Sequence, residues 1–249
     1  MKLISLPFAF CLLPFAFCVL PFAVLGQTAQ EIVEKSDDAR NLGQPFKMRM
    51  RLTNLENEKQ KDQAEFELLV SGRDKTLVKF VGGRDKGNYL LMAGDDMWIY
   101  ILNTRKPIRI TPIQRLMGEA SNGDVARANF SQDYDARLLG EEALDGSACW
   151  KLELKAKSPG ATYHRIEYWV EKGTHLPKRA DFYLISGKFY KTALFEKFEK
   201  ISLAERFLTR TVLVDQLRPG RKTVMEYFAV QPEKIPDKYF NKNYLPNLQ

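Results

Sequence analysis

The sequence is poor in the side chains that most often carry metal or acid–base chemistry. It has two histidines and three cysteines in 249 residues, and it lacks HExxH, Gly-x-Ser-x-Gly and a Gly-Lys-Ser/Thr phosphate loop. These absences exclude a helix-borne zinc protease site, a serine hydrolase elbow and a P-loop. Neighbouring acids such as Asp95 and Asp96 point apart in a strand or turn, so they form no facing pair. We therefore predict no catalytic residue, no metal ligand and no cofactor, and a protein that is not an enzyme.

Cysteine is too scarce for a disulfide framework. Cys11 and Cys18 lie among the first 26 residues, which leaves Cys149 alone in the remainder. One cysteine cannot form an intramolecular disulfide, so stability must come from a hydrophobic core. A chain of this length can bury such a core. We expect Cys149 to be a small buried apolar residue, because no neighbouring histidine marks it as activated.

Charge is absent from residues 3–25, which lie between Lys2 and a polar segment that starts at Gln27. This is the order of regions in a secretory signal peptide. A seven-residue unit repeats three times within the run, each time with a proline, and we interpret it as a duplicated apolar region. We expect residues 1–26 to be a cleaved signal peptide that directs the chain to the periplasm. A retained anchor is the alternative, because the run is long enough to span a bilayer.

What the rest of the chain does contain is alternation. Apolar residues recur at every second position in segments such as 46–52, 64–70 and 150–156. Such a period predicts strands with one apolar and one solvated face, as in antiparallel sheets. Turn signals rich in Gly, Asp and Pro separate the segments, and no βαβ alternation occurs. The prediction is a mainly β chain that forms a meandering sheet, a barrel or a sandwich.

Two segments break the alternation and favour helices. The first runs from 29 to 39. The second is an excursion over 112–130, where we predict one helix over 112–117, with Thr111 as its cap, and another over 124–130, with Asp124 as its cap. The last stretch, 232–249, is expected to pack along the sheet as irregular chain.

Aromatic and apolar side chains are numerous enough to suggest a cavity. A single curved sheet needs a cover for its apolar face, and incomplete cover leaves a concave apolar site. An ordinary packed core is the alternative. The candidate cavity residues are Phe66, Leu68, Phe80, Trp98, Tyr100, Trp150, Leu152, Tyr168 and Phe182, and the candidate lid residues are Leu116, Met117 and Phe130.

The net charge of +7 suggests anionic partners. Lys47, Arg49 and Arg51 fall on one face of a predicted strand. The default interpretation of such a run is a solvated outer face. The functional alternative is a binding surface for an anionic partner. In an exported protein that partner would be an anionic lipid or an acidic protein surface, not nucleic acid. We expect a monomer.

A set of short strings resembles the LolA-like outer-membrane lipoprotein-sorting family. They are GRDKGNYLL at 83–91, MWIY at 97–100, IRIT at 108–111, NGD at 122–124, DY at 133–134, GEE at 140–142, LDG at 144–146, CWKLEL at 149–154, YWV at 168–170, PKRA at 177–180 and GK at 187–188. The resemblance implies one domain over 27–249, with an unclosed antiparallel β-barrel whose concave face is covered by short helices. It also implies carriage of acylated lipoproteins or lipids between membranes. None of the family's functional residues can be matched to positions in this chain.

Two functional hypotheses follow. In the first, the protein is a periplasmic carrier that binds the acyl chains of lipoproteins or phospholipid in an apolar cavity and transfers them toward the outer membrane. In the second, it is a non-enzymatic docking or regulatory module of an inner- or outer-membrane protein complex, such as a lipid exporter accessory or an envelope sensor. An open cavity favours the first and a solidly packed core favours the second.

Overall fold

A computed structural model describes residues 27–104, 106–127 and 129–248, so the predicted signal peptide lies outside it. The strands are β1 (Phe46–Glu56), β2 (Lys59–Ser71), β3 (Lys75–Phe80), β4 (Tyr89–Ala93), β5 (Asp96–Tyr100), β6 (Ile108–Ile110), β7 (Arg115–Met117), β8 (Ala120–Ser121), β9 (Tyr134–Leu144), β10 (Ser147–Ala156), β11 (Arg165–Glu171), β12 (Pro177–Tyr183), β13 (Phe189–Ile201), β14 (Ala204–Asp215) and β15 (Arg221–Pro232). The helices are α1 (Ala29–Asp37), α2 (Asn122–Ala126) and α3 (Phe130–Asp133), followed by two 3-10 helices, Asp237–Phe240 and Lys242–Leu248.

Thirteen of the strands form one antiparallel sheet. Its order is β6-β5-β4-β3-β2-β1-β15-β14-β13-β12-β11-β10-β9, so every neighbour is adjacent in sequence except β1 and β15. β6 and β9 are the two edges, and within the described residues they do not pair with each other. The sheet is therefore an unclosed antiparallel β-barrel, and the predicted fold class is confirmed.

The alternation of β1 shows how the sequence builds the two faces. Phe46, Met48, Met50 and Leu52 are buried in the main core on what we call the inner face. The three basic residues between them lie on the outer face, as predicted. Two of these form ion pairs, Arg51 with Glu65 at 2.7 Å and Lys47 with Glu233 at 3.0 Å. Because acids already neutralise part of this strip, it offers less free charge to a partner than the sequence suggested.

Helix α1 covers one part of the inner face. Thr28 caps it in a capping box, in which the Thr28 hydroxyl accepts from the Glu31 amide and the Glu31 carboxylate accepts from the Thr28 amide. Ile32 and Val33 are buried in the core. The predicted helix over 29–39 is confirmed, and it ends two residues earlier than expected.

The mid-chain excursion is a lid, which we define as residues 115–133. The predicted helix over 112–117 is wrong, because residues 115–117 form β7, which pairs with β8. Its apolar pattern is too short to specify a helix, and Gly118, with φ of +55°, turns the chain into a hairpin instead. The predicted helix over 124–130 is replaced by α2 and α3. Ser121, not Asp124, is the N-cap, and Asp124 completes a capping box by accepting from the Ser121 amide.

The C-terminal segment covers a second apolar cluster on the outer face. Leu77, Tyr89, Leu91 and Tyr100 pack there against Phe240 and Leu245. Strands β3–β5 are consequently apolar on both faces. The expectation that residues 232–249 pack along the sheet is confirmed for the described part, with 3-10 turns within it.

We predict that Gly118→Ala weakens the attachment of the lid hairpin to the sheet. A Cβ atom at Gly118 would lie 1.7 Å from Asn54 Oδ1 and 2.5 Å from Thr223 Oγ1. The expected loss in the free energy of unfolding is about 2 kcal/mol, measured by urea denaturation. The matched control is Gly94→Ala, which has a similar φ of +59° but no atom within 4 Å, and it should cost about 1 kcal/mol. Equal losses would show that the close approach of Gly118 to the sheet is unimportant.

Candidate functional site

Two spaces lie between the inner face and the lid. The first, which we call the chamber, is enclosed by α2, α3 and the sheet and has a volume of about 70 Å³. Its walls are mainly apolar and include Met48, Phe182, Phe195, Phe207 and Met225. This volume is well below the ~300–1,000 Å³ of typical ligand sites. The chamber is therefore nearly filled by side chains.

The second space, which we call the cleft, has a volume of about 360 Å³. Phe66 and Phe80 form its floor on the sheet, and Leu116 and Met117 of β7 form its roof. Charged side chains stand at its rim, namely Asp62, Arg84, Asp85 and Arg115. The cleft thus combines apolar and charged side chains in about equal measure, and its volume is within the usual size range for a bound small molecule.

The structure brings most of the predicted cavity residues to the inner face. Phe66, Phe80, Leu116 and Met117 line the cleft, and Phe130 and Phe182 line the chamber. Leu68, Leu152 and Tyr168 are fully buried in the inner core. Trp150 lies at the margin of this core, with its ring centroid 5.2 Å from that of His175.

Trp98 and Tyr100 do not face these spaces, and that part of the prediction is wrong. In β5 the inner position belongs to Met97, and alternation places Trp98 and Tyr100 on the outer face. There the C-terminal segment covers them, and Lys242 Nζ lies 3.9 Å from the Trp98 ring centroid. The sequence could not reveal this, because both faces of β5 are apolar.

A buried lysine ties the lid to the sheet. Lys191 on β13 is 1% exposed, and its Nζ donates to Glu119 O at 2.6 Å, to Ser121 Oγ at 3.0 Å and to the Asp124 carboxylate. Asp124 Oδ1 also accepts from the Tyr163 hydroxyl at 2.6 Å. The sequence analysis missed this group, because a lysine in an alternating strand resembles a solvated one.

A buried aspartate joins α1 to α3. The Asp37 carboxylate accepts from the Phe130 amide at 3.1 Å, from the Ser131 amide at 2.7 Å and from Arg40 Nη2 at 2.6 Å. The Arg40 guanidinium lies 4.2 Å from the Phe130 ring centroid. Nothing in the local pattern around Asp37 and Asp38 indicated which of them is buried.

The hairpin tip carries a third polar attachment. Both carboxylate oxygens of Glu119 accept from Arg218 Nη2 at 3.2 Å, and Arg115 lies 3.4 Å away. Burial raises the pKa of Glu119, and this outweighs the opposing effect of Arg115 and Arg218. The pKa of the neighbouring Asp215 is lowered instead. Burial alone would raise it, but hydrogen bonds from the Leu217 amide and from the amide and side chain of Arg218 stabilise the ionised carboxylate more strongly.

The described residues contain no group of three or more His, Cys, Asp and Glu side chains placed to hold a metal ion. Cys149 is fully buried, and burial raises the pKa of its thiol. His175 Nε2 is hydrogen-bonded to Gln27 Oε1 at 2.8 Å, and His164 is exposed. None of the helices in the described part of the chain has the length and apolar character needed to cross a membrane.

We predict that Lys191→Met destabilises the protein by about 3 kcal/mol, because the variant leaves the Asp124 carboxylate buried without its cation. Hydrogen exchange should rise first at residues 119–126. Lys200→Met is the control, since Lys200 lies on the same strand but forms an exposed pair with Glu205, and it should change stability by less than ~1 kcal/mol. The importance of the buried pair is refuted if both variants lose the same amount.

We predict that Glu119 makes stability depend on pH. Its pKa is raised in the folded state, so the folded state binds more protons than the unfolded state above the ordinary value of 4.5. Relative to Glu119→Gln, the wild type should therefore gain stability as the pH falls from 7 toward 4.5. Urea denaturation of both proteins across this range measures the difference. A difference that is constant with pH, or that grows with rising pH, would contradict the prediction.

A family model described as an uncharacterized protein matches residues 72–247, and no curated protein matches the chain. The solved structure of a LolA superfamily protein from Nitrosomonas europaea is 33% identical, has a TM-score of 0.82, and the match covers 88% of this chain and 99% of that one. A DUF1329 family protein from Desulfovibrio piger is 25% identical, with a TM-score of 0.73 and coverage of 87% and 97%.

A third structure shares the fold alone. It is a domain from Vibrio parahaemolyticus assigned as an outer membrane lipoprotein-sorting protein, with 19% identity, a TM-score of 0.74 and coverage of 87% of this chain and 97% of that one. The family assignment rests on the 33% identity over nearly the full length of the Nitrosomonas europaea protein. The open 13-stranded sheet and its short covering helices agree with it. The chain belongs to the LolA superfamily.

Proposed function

We propose that the protein is a periplasmic carrier that binds acyl chains of lipoproteins or phospholipid and transfers them toward the outer membrane without chemical change. The observation that carries this proposal is the cleft. It offers about 360 Å³ between an apolar floor on the sheet and an apolar roof on the lid. An acyl chain gains ~0.8 kcal/mol for each methylene removed from water, so a slot of this size supports useful affinity.

For a ligand to enter, the lid would move away from the sheet. Polar contacts join the lid to the sheet at Lys191, to α1 at Asp37 and to Arg218 at Glu119, and water can replace such contacts when the lid moves. Its movement would enlarge the chamber, whose walls are already apolar. A long acyl chain could then extend from the cleft beneath α2 and α3.

Two further points support a carrier between membranes. The fold is that of the LolA superfamily, and the Vibrio parahaemolyticus relative is assigned to lipoprotein sorting. The predicted signal peptide over 1–26 would place the chain in the compartment between the two membranes. The expected form is a monomer that works without a cofactor.

One observation favours the alternative, a docking or regulatory module of an envelope membrane complex. The chamber has only about 70 Å³ of free space, so the core beneath α2 and α3 is nearly filled. A module of this kind would keep its lid closed and would bind its partner through the surface of the barrel.

Native mass spectrometry separates the two functions. The full chain is expressed with its own N-terminal segment, recovered from the periplasm without detergent, and extracted with organic solvent. A carrier should be purified with phospholipid or lipoprotein bound, and the mass of the extracted molecule identifies which of the two it is. A bare protein that stays bare after incubation with phospholipid vesicles would support the docking module instead.

We predict that a disulfide from the lid to the loop between β10 and β11 abolishes transfer. A Cβ atom at Gly123 on α2 would lie 2.8 Å from Thr162 Cβ, so Gly123→Cys with Thr162→Cys can bridge after a shift of about 1 Å. Cys149→Ala in the same protein prevents mispairing. The oxidised form should not take labelled phospholipid from vesicles, and the same protein should regain uptake after reduction. Equal uptake by the two forms would disprove a role for lid opening.

A further inference from the structure

The two ends of the barrel differ in the apolar side chains that they expose. Because alternate connections of an antiparallel meander share one end and Glu56 pairs with Arg221, six connections lie at the same end. We call it the basic end, and its connections are residues 57–58, 81–88, 101–107, 157–164, 184–188 and 216–220. Five of the eight exposed large apolar side chains lie in these connections or directly beside them, namely Ile101, Leu102, Ile108, Ile185 and Leu217. Within the described residues, no connection at the opposite end carries one.

The two ends also differ in charge. The described residues of the six connections include six Lys and Arg and two Asp and Glu. The connections at the opposite end, 72–74, 94–95, 145–146, 172–176 and 202–203, include two and three. Arg84, Lys86, Lys106 and Lys188 are exposed at the basic end. The ion pairs there use Lys61, Arg218, Arg221 and Lys222 instead, so the four exposed cations have no acidic partner among the described residues.

Ile185 is the most exposed of the apolar side chains. It lies at the tip of the β12–β13 hairpin and is 86% exposed. The Gly187 amide donates to Leu184 O at 2.9 Å, and Gly187 has a φ of +80°, so the turn is short and well defined. A polar residue would suit the position of Ile185 in such a turn equally well. Local structure therefore does not account for the isoleucine.

The surroundings of this hairpin tip are also apolar. At its base, the half-buried rings of Tyr183 and Phe189 stack with their centroids 5.3 Å apart. The β14–β15 turn lies beside the hairpin, because the Gln216 amide donates to Tyr190 O at 3.0 Å, and this turn exposes Leu217. Apolar tips above a tyrosine ring suit the region of a bilayer between the headgroups and the acyl chains.

The arrangement of these side chains favours a bilayer over a protein partner. A protein interface has a continuous, closely packed apolar centre, whereas Ile185 and Leu217 lie at the tips of separate turns. In a bilayer each apolar tip can enter the interface by itself. The long side chains of lysines such as Lys188 can meanwhile keep their ammonium groups among the phosphates.

We propose that the basic end is a membrane-docking surface. Ile185 and Leu217 enter the interface of an anionic phospholipid bilayer, and Lys188 and the other exposed cations bind the headgroup phosphates. This inference does not depend on the carrier function, because a docking module could use the same surface.

Flotation with vesicles tests the docking. The full chain recovered from the periplasm without detergent is mixed with vesicles of phosphatidylglycerol and phosphatidylcholine in equal parts, or with vesicles of phosphatidylcholine alone. It should bind the anionic vesicles more than about tenfold tighter, because each of several cations contributes near an anionic surface. This preference should disappear in about 1 M salt, where the Debye length falls to ~3 Å.

Two variants locate the surface. Ile185→Ser should weaken binding to the anionic vesicles about tenfold, because it removes an apolar tip. Lys188→Gln should weaken it about fivefold, because it removes one headgroup contact. The matched controls are Leu138→Ser, at an exposed leucine of the edge strand β9, and Lys200→Gln, at the other end of β13 from Lys188. Both should bind like the wild type, and all four variants should keep its melting temperature because the side chains are exposed.

The outcomes separate this inference from the carrier function. Equal binding to the two kinds of vesicle, or equal binding by the wild type, Ile185→Ser and Lys188→Gln, would overturn the docking surface. The second result would also be given by a chain held through a retained N-terminal anchor. No binding to either kind of vesicle would overturn it as well and would assign the basic end to a protein partner. The carrier function would survive each of these results if native mass spectrometry finds bound lipid, whereas docking by a chain that never contains lipid would overturn the carrier function alone.

Discussion

The position of the lid on the sheet depends on one buried ammonium group. Lys191 reaches from the sheet into the lid and is satisfied there by a backbone carbonyl, a hydroxyl and the Asp124 carboxylate. Asp124 in turn completes the capping box of α2 and accepts from the Tyr163 hydroxyl. The same carboxylate therefore fixes both the start of the helix and the position of the lid. A buried charge is tolerated only when it is fully paired, which makes this attachment specific in its geometry.

The way in which the rest of the inner face is covered depends on this attachment of the lid. An open antiparallel sheet of thirteen strands exposes an apolar surface that one nine-residue helix cannot cover. The lid supplies the remaining cover with Ala120, Val125, Ala126 and Phe130, which are buried in the same core, and polar contacts fix its position. This cover does not fill all of the space beneath it. The cleft and the chamber are the result.

Local pattern predicted the strands and failed at the lid. The alternation around Met48 specifies the inner face, because a period of two can be read from the sequence alone. The hairpin at Gly118 could not be foreseen, since its conformation depends on the close contact with Asn54 across the sheet. Trp98 was assigned to the wrong face because its strand is apolar on both sides. Lys191 was missed for a related reason, since its burial depends on partners about 70 residues away.

The strand order places the lid between the two free edges of the sheet. Strands β1–β6 form one meander and β9–β15 the other, and they meet only where β1 pairs with β15. Each meander can assemble from hairpins between neighbours in sequence, whereas the seam joins residues such as Phe46 and Pro232 and closes a very long loop. The segment that crosses from β6 to β9 is consequently a tether as well as a cover. It limits how far the mouth of the barrel can widen, so any ligand that enlarges the mouth must also stretch the segment that closes it.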